Sequence, residues 1–138
     1  GFRALQKRRN VHFLGWRDYA LLPAYLAGMS AGIIPFVVNH NTKSHGQPNK
    51  LFQYLAAGKP VVSSALPASR DFSRQHGGLV DIAETYDEFE QLLAAALTNG
   101  ENEQNVRDRI RVARMYSPDR SALRRVAPDR RRFGISIA

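Results

Sequence analysis

Apolar and polar positions alternate along the chain in two rhythms. Short apolar runs of strand character lie at Val11–Leu14, Ala31–Phe36, Pro60–Ser64 and Gly78–Ile82. Between them apolar residues recur at helical spacing, which predicts helices over Tyr19–Ala27, Pro48–Ala57, Pro67–Gln75, Tyr86–Leu97 and Glu103–Met115. Strands separated by helices require crossover connections and therefore a parallel sheet, so the expected class is α/β. Pro67 suits a first helical turn, and Thr85 with Glu88 three residues later is a capping-box signal. Residues 1–9 read as the end of a helix, and the sheet looks incomplete for a doubly wound domain. The expected organisation is an α/β domain over 1–116 followed by a helix and basic tail over 117–138. In that tail Ser117-Pro118-Asp119 starts a short helix and Pro128 ends it, while Gly134–Ala138 reads as disordered or edge-like.

One stretch organises the rest: Gln47 to Ser64, a short helix, a tight stop and a buried strand. Pro48 fits the first helical position, where a missing N–H costs nothing. Leu51, Tyr54 and Leu55 form one apolar stripe. Gly58 fits the left-handed position just past a helix end, and Pro60 then forbids helix before Val61-Val62 begins the strand. A polar loop, Val37 to Gln47, leaves the carboxyl end of the preceding strand and enters this helix. Such loops are where open α/β sheets bind ligands, and the free N–H groups of a helix start favour an anion, above all a phosphate.

Composition narrows the classes. The chain has 138 residues and no cysteine, which excludes a disulfide framework, a thiolate metal site and a thiol nucleophile. No apolar run reaches the length of a membrane span, and no secretory signal is visible. The net charge of +8 is concentrated between Arg107 and Arg132. Two readings of that run stay open: a solvated helix face with a loose tail, or contact with an anionic membrane surface. Nucleic acid is not expected as a partner, because no aromatics interleave with the arginines and no binding motif is present.

The histidines are His12, His40, His45 and His76. His12 falls in a predicted strand and reads as structural. His40 and His45 share the loop, but their spacing does not match a helical metal pair, and the chain has no Asp-x-Asp motif; no metal is expected. There is no evident Ser-His-Asp set and no carboxylate pair placed for glycoside hydrolysis.

The words Pro48-Asn49-Lys50-Leu51-Phe52-Gln53-Tyr54-Leu55-Ala56-Ala57-Gly58-Lys59-Pro60-Val61-Val62 resemble the signature helix and strand of GT-B-fold glycosyltransferases, most closely the retaining family 4 enzymes. Asn10 to Gly15, Leu22 to Ala27 and Ala31 to Phe36 resemble further pieces of that family in the same order, so the similarity covers roughly Asn10 to Thr98. The resemblance implies a partial doubly wound, Rossmann-like sheet flanked by helices, the donor-binding C-terminal half of a GT-B fold. It implies that the domain binds a nucleotide-diphosphate sugar as substrate, with no cofactor, for transfer to a glycan or lipid-linked acceptor. It implies an N-terminal acceptor-binding domain of the same protein as partner, upstream cations on the diphosphate, and a cytoplasmic location, peripheral at the inner membrane face if the arginine run touches lipid. Residues 1–138 alone are expected to give little or no turnover.

The family has two glutamates separated by seven residues; here His45 and Gln53 occupy those positions. The resemblance implies that Gln53 accepts from the nucleotide ribose, more weakly than a carboxylate, and that His45 faces the sugar. Gly46 and the N–H groups at Asn49 and Lys50 would cradle phosphate, with Lys50 adding charge and Asn49 supporting Gln53 from one turn earlier. Trp16 or Arg17 would stack on the base, unless Trp16 packs on the adjacent helix. Other readings remain: a degenerate, non-catalytic nucleotide-sugar-binding module, motivated by Gln53 and His45, and an unrelated basic α/β interaction domain.

Overall fold

The computed structural model describes residues 2–39, 48–99 and 102–116. In order these form α1 (Phe2–Gln6), a 3-10 turn (Tyr19–Leu21) running into α2 (Leu22–Gly28), β1 (Gly32–Ile34), α3 (Asn49–Ala56), β2 (Val61–Ser64), α4 (Pro67–Gln75), β3 (Asp81–Ala83), α5 (Tyr86–Thr98) and α6 (Glu103–Tyr116). The three strands make one open parallel sheet in the order β1-β2-β3, with Gly32 opposite Val61 and Val62 opposite Asp81. The expected α/β class with parallel crossovers is what the chain adopts, as a partial Rossmann-like sheet flanked by helices.

Strand alternation sorts the sheet into two faces. Ile34, Val61 and Val80 point to the face covered by α3, α4 and α6, where Leu51, Leu55, Phe72 and Val112 complete the core. Val62, Ser64 and Ala83 point the other way, where α5 packs on β2 and β3. Ile33 shares that second face but sits on β1, beyond the reach of α5, and stays 41% exposed.

The stop after α3 is built as its residues dictate. Gly58 takes φ 74°, in the left-handed region, and its N–H bonds to the Leu55 carbonyl at 2.9 Å. Its missing side chain leaves room for α6, and Arg109 Nη1 donates to the Gly58 carbonyl at 3.1 Å. At the far end of α6, Tyr116 stacks on Phe52 with ring centroids 5.2 Å apart and shares a hydrogen bond of 2.7 Å with His76 Nε2. These contacts clamp α3 between the sheet and α6.

Several boundaries differ from the sequence expectations. Val11–Leu14 is not a strand: Val11 N–H turns back to the Arg8 carbonyl, and Phe13 and Leu14 stay half exposed. The chain turns back on itself there instead of joining the ladder, and the sheet of the described residues is β1-β2-β3. The strand expected over Ala31–Phe36 stops at Ile34, because Pro35 has no N–H for the ladder. The strand expected from Gly78 begins at Asp81. Gly77 and Gly78 take φ 64° and 79° and close α4 instead, with Gly78 N–H on the Ser73 carbonyl at 2.9 Å. The helix expected over Tyr19–Ala27 starts as a 3-10 turn capped by Asp18, and Pro48 is the residue before the first helical one, extended at ψ 130°. The expected second helix and tail lie outside the described residues.

The capping box of α5 is present in full. Thr85 Oγ1 accepts from Glu88 N–H at 3.2 Å, while Glu88 Oε2 accepts from the N–H groups of Glu84 at 2.7 Å and Thr85 at 3.3 Å. Thr85→Ala is expected to lower stability by about 1 kcal/mol. The check is a lower urea midpoint with an unchanged slope.

Candidate functional site

All three strands run the same way, so Ile34, Ser64 and Ala83 deliver their loops to one edge of the sheet. Ser64 Oγ donates to the Ile34 carbonyl at 3.2 Å and ties two of these strand ends together. Three features collect around this side of the domain or near it in sequence.

The first is the start of α3. Pro48 offers no side-chain cap, and its carbonyl takes the Leu51 N–H at 3.0 Å. Helix geometry leaves the N–H groups of Asn49 and Lys50 without intrahelical partners. No acidic residue sits in this first turn. Lys50 is exposed, with Nζ 5.8 Å from the Phe36 ring centroid, within cation–π range. Asn49 is exposed and Gln53, one turn on, is half-buried. His45 and Gly46 lie outside the described residues.

The second is a hollow of about 230 Å³ bordered by Trp16, Arg17, Tyr19, Leu22 and Tyr25. Arg17 is fixed by Nε donating to Tyr25 Oη and Nη1 donating to the Trp16 carbonyl, each at 3.2 Å. Trp16 does not pack on the following helix: its side chain is 87% exposed. The Arg17 guanidinium is therefore held in place, and the Trp16 indole is open to solvent.

The third was not legible in the sequence: a cleft of about 610 Å³ at the carboxyl ends of all three strands, between the segment after β1 and the first turns of α5. Phe36, Val37 and Val38 form one wall, Phe89 and Leu93 the other, and Glu84 and Glu90 lie at its margin. Glu84 is ion-paired with Arg70. The hollow at Trp16 and this cleft share no residue. A sequence signal existed, since Val37 and Val38 are apolar residues in a segment that reads as a polar loop.

Among the described residues no group of three histidine, aspartate or glutamate side chains could hold a metal ion, and no helix is long and apolar enough to cross a membrane.

A three-stranded parallel sheet flanked by helices, its strand ends opening beside a helix start, places the chain among partial Rossmann-like α/β domains. The family model described as glycosyl transferases group 1 matches residues 2–99, and the chain belongs to that family, as a glycosyltransferase domain of the GT-B type. The chain is similar to the putative teichuronic acid biosynthesis glycosyltransferase TuaH of Bacillus subtilis (strain 168), 33% identical over 75 residues. That alignment takes in 54% of this chain and 19% of the relative's length. No solved structure matches.

Proposed function

We propose that this domain binds the nucleotide-diphosphate sugar of a glycosyl transfer reaction, with the diphosphate at the start of α3. The carrying observation is that Lys50 stands in the first turn of a helix that has no acid there. A cation at this end opposes the helix dipole and costs the helix about 0.3–1 kcal/mol, so the arrangement serves an incoming anion rather than the fold. Asn49 and Lys50 N–H groups then receive the phosphate oxygens and stabilise the leaving diphosphate as charge develops on it. Gln53, one turn along, receives the ribose hydroxyls through its amide oxygen, and Trp16 or Arg17 stacks on the base. By resemblance to the family, Gly46 is assigned to the same phosphate contact and His45 to the sugar. The acceptor half comes from chain outside these residues, and the acceptor is a glycan or a lipid-linked glycan. In this reading the protein works at the inner face of the cytoplasmic membrane.

The test is calorimetric titration of the chain with UDP, GDP and ADP, each against its nucleoside. One diphosphate is expected to bind at least tenfold more tightly than its nucleoside, and Lys50→Glu is expected to remove that advantage, a loss of about 1.4 kcal/mol or more. Equal affinity for nucleoside and diphosphate, unchanged by Lys50→Glu, would overturn the assignment.

A further inference from the structure

The hollow beside α2 carries two charged side chains that the fold leaves partly unused. Arg17 and Asp18 both line it, together with Trp16, Tyr19, Leu22 and Tyr25. Arg17 is fixed through Nε and Nη1, which leaves both N–H groups of Nη2 without a partner among the described residues. Asp18 Oδ1 accepts from Ala20 N–H at 2.9 Å, and Oδ2 accepts from no described residue. Neither side chain is ion-paired among the described residues. A donor-only guanidinium and an acceptor-only carboxylate thus stand on adjacent residues of one hollow. Aromatic rings share it, and those of Trp16 and Tyr19 are exposed. The volume of about 230 Å³ lies below the range of about 300–1,000 Å³ for pockets that enclose a whole ligand. The hollow therefore suits one ring system rather than an entire nucleotide sugar.

We propose that this hollow takes guanine, which makes the donor a guanosine-diphosphate sugar, with Arg17 donating to the O6 and N7 edge and Asp18 accepting from N1–H and the 2-amino group. This rests on the reading that a nucleotide-diphosphate sugar binds with its base beside Trp16 and Arg17, and it adds which base. A base outside a helix is held by stacking on aromatic rings and by hydrogen bonds along its edges. The exposed rings stack on any base, so the charged pair decides between them. Guanine presents two neighbouring acceptors, which a guanidinium fork matches, and two neighbouring donors, which a carboxylate matches. Adenine carries an amino group beside its N7, so the Arg17 donors would meet a donor. Uracil offers one acceptor to Arg17 and one N–H to Asp18, a single bond to each where guanine makes two. The Arg17 fork is also fixed before the base arrives, which lowers the ordering cost of binding.

The test is calorimetric titration of the chain with GDP, IDP, UDP, ADP and XDP, the diphosphate of xanthosine, and with guanosine and inosine. GDP is expected to bind about tenfold or more tightly than UDP, ADP and IDP, the last of which lacks only the 2-amino group. Asp18→Asn keeps the oxygen that caps the turn after it, so the local fold is retained. It is expected to abolish the preference for GDP over IDP and to favour XDP over GDP. Xanthine has an oxygen where guanine has its amino group, and the new amide N–H donates to it. Arg17→Lys, which keeps the charge and loses the fork, is expected to bring GDP down to the affinity of UDP. A merely structural role for Asp18 would weaken all the nucleotides alike, and that result would overturn the proposal. UDP or ADP binding as tightly as GDP, with each diphosphate still tighter than its nucleoside, would also overturn it and leave the donor reading standing. Guanosine binding more tightly than inosine, with nothing gained from the diphosphate, would retain the guanine site and remove the donor reading. Absence of binding by every nucleotide would remove both.

Discussion

Gly58→Ala is expected to destabilise the chain by about 2–5 kcal/mol, adding about 1–2 for a left-handed backbone with a Cβ to about 1–3 for overpacking. Gly58 holds φ 74°, and a Cβ there would lie 2.8 Å from Val106 Cγ1 on α6. The two costs cannot be relieved together. Relaxing the backbone moves the carbonyl that Arg109 holds, and moving α6 disturbs Val112 and Ala113, both buried in the core. The check is urea unfolding of the variant and of Gly58→Ala combined with Val106→Ala. The second change should recover the packing part and leave the backbone part. Full recovery would show that φ contributes nothing.

Gly32→Ala is expected to cost about 3 kcal/mol for a different reason. Gly32 is buried on β1, and a Cβ on it would lie 2.3 Å from Cδ2 and 2.4 Å from Cγ of Tyr54. The ring of Tyr54 lies across the glycine, and burial pushes its hydroxyl pKa up. Cγ is the near end of the ring, so rotation about the last bonds does not clear the clash. Tyr54 must leave or β1 must separate from α3. Either result displaces the start of α3 relative to the strand end, so phosphate binding at Lys50 should weaken with stability. Gly32→Ala with Tyr54→Ala is expected to be more stable than the sum of the two single losses, and strict additivity would show that the two residues do not meet.

Much of the fold was legible because its signals are local. Gly58 and Pro60 fix the end of α3 by backbone sterics, Thr85 and Glu88 fix the start of α5 by two reciprocal hydrogen bonds, and Pro67 opens α4 as expected. The family was legible for the same reason: its words lie in these short units. The site was legible only in part. Lys50 and Asn49 at a helix start follow from Pro48 and the apolar stripe behind them. The cleft does not, because its two walls are about fifty residues apart and meet only through strand order.

The errors share that cause. Val11–Leu14 has the composition of a strand, yet pairing is a property of two segments, and the composition of one does not specify the other. Gly78 reads as part of an apolar run, but the preceding helix needed a left-handed residue more than β3 needed another rung. The sequence by itself determined the stop after α3, the starts of α4 and α5, the α/β class and the family. Those depend on steric limits and hydrogen bonds between residues a few positions apart. The tertiary structure alone decided which runs pair, which sheet face α5 covers, and that Phe36 stands between a cation and an apolar cleft. Those depend on contacts between segments far apart in the chain, which no local pattern specifies.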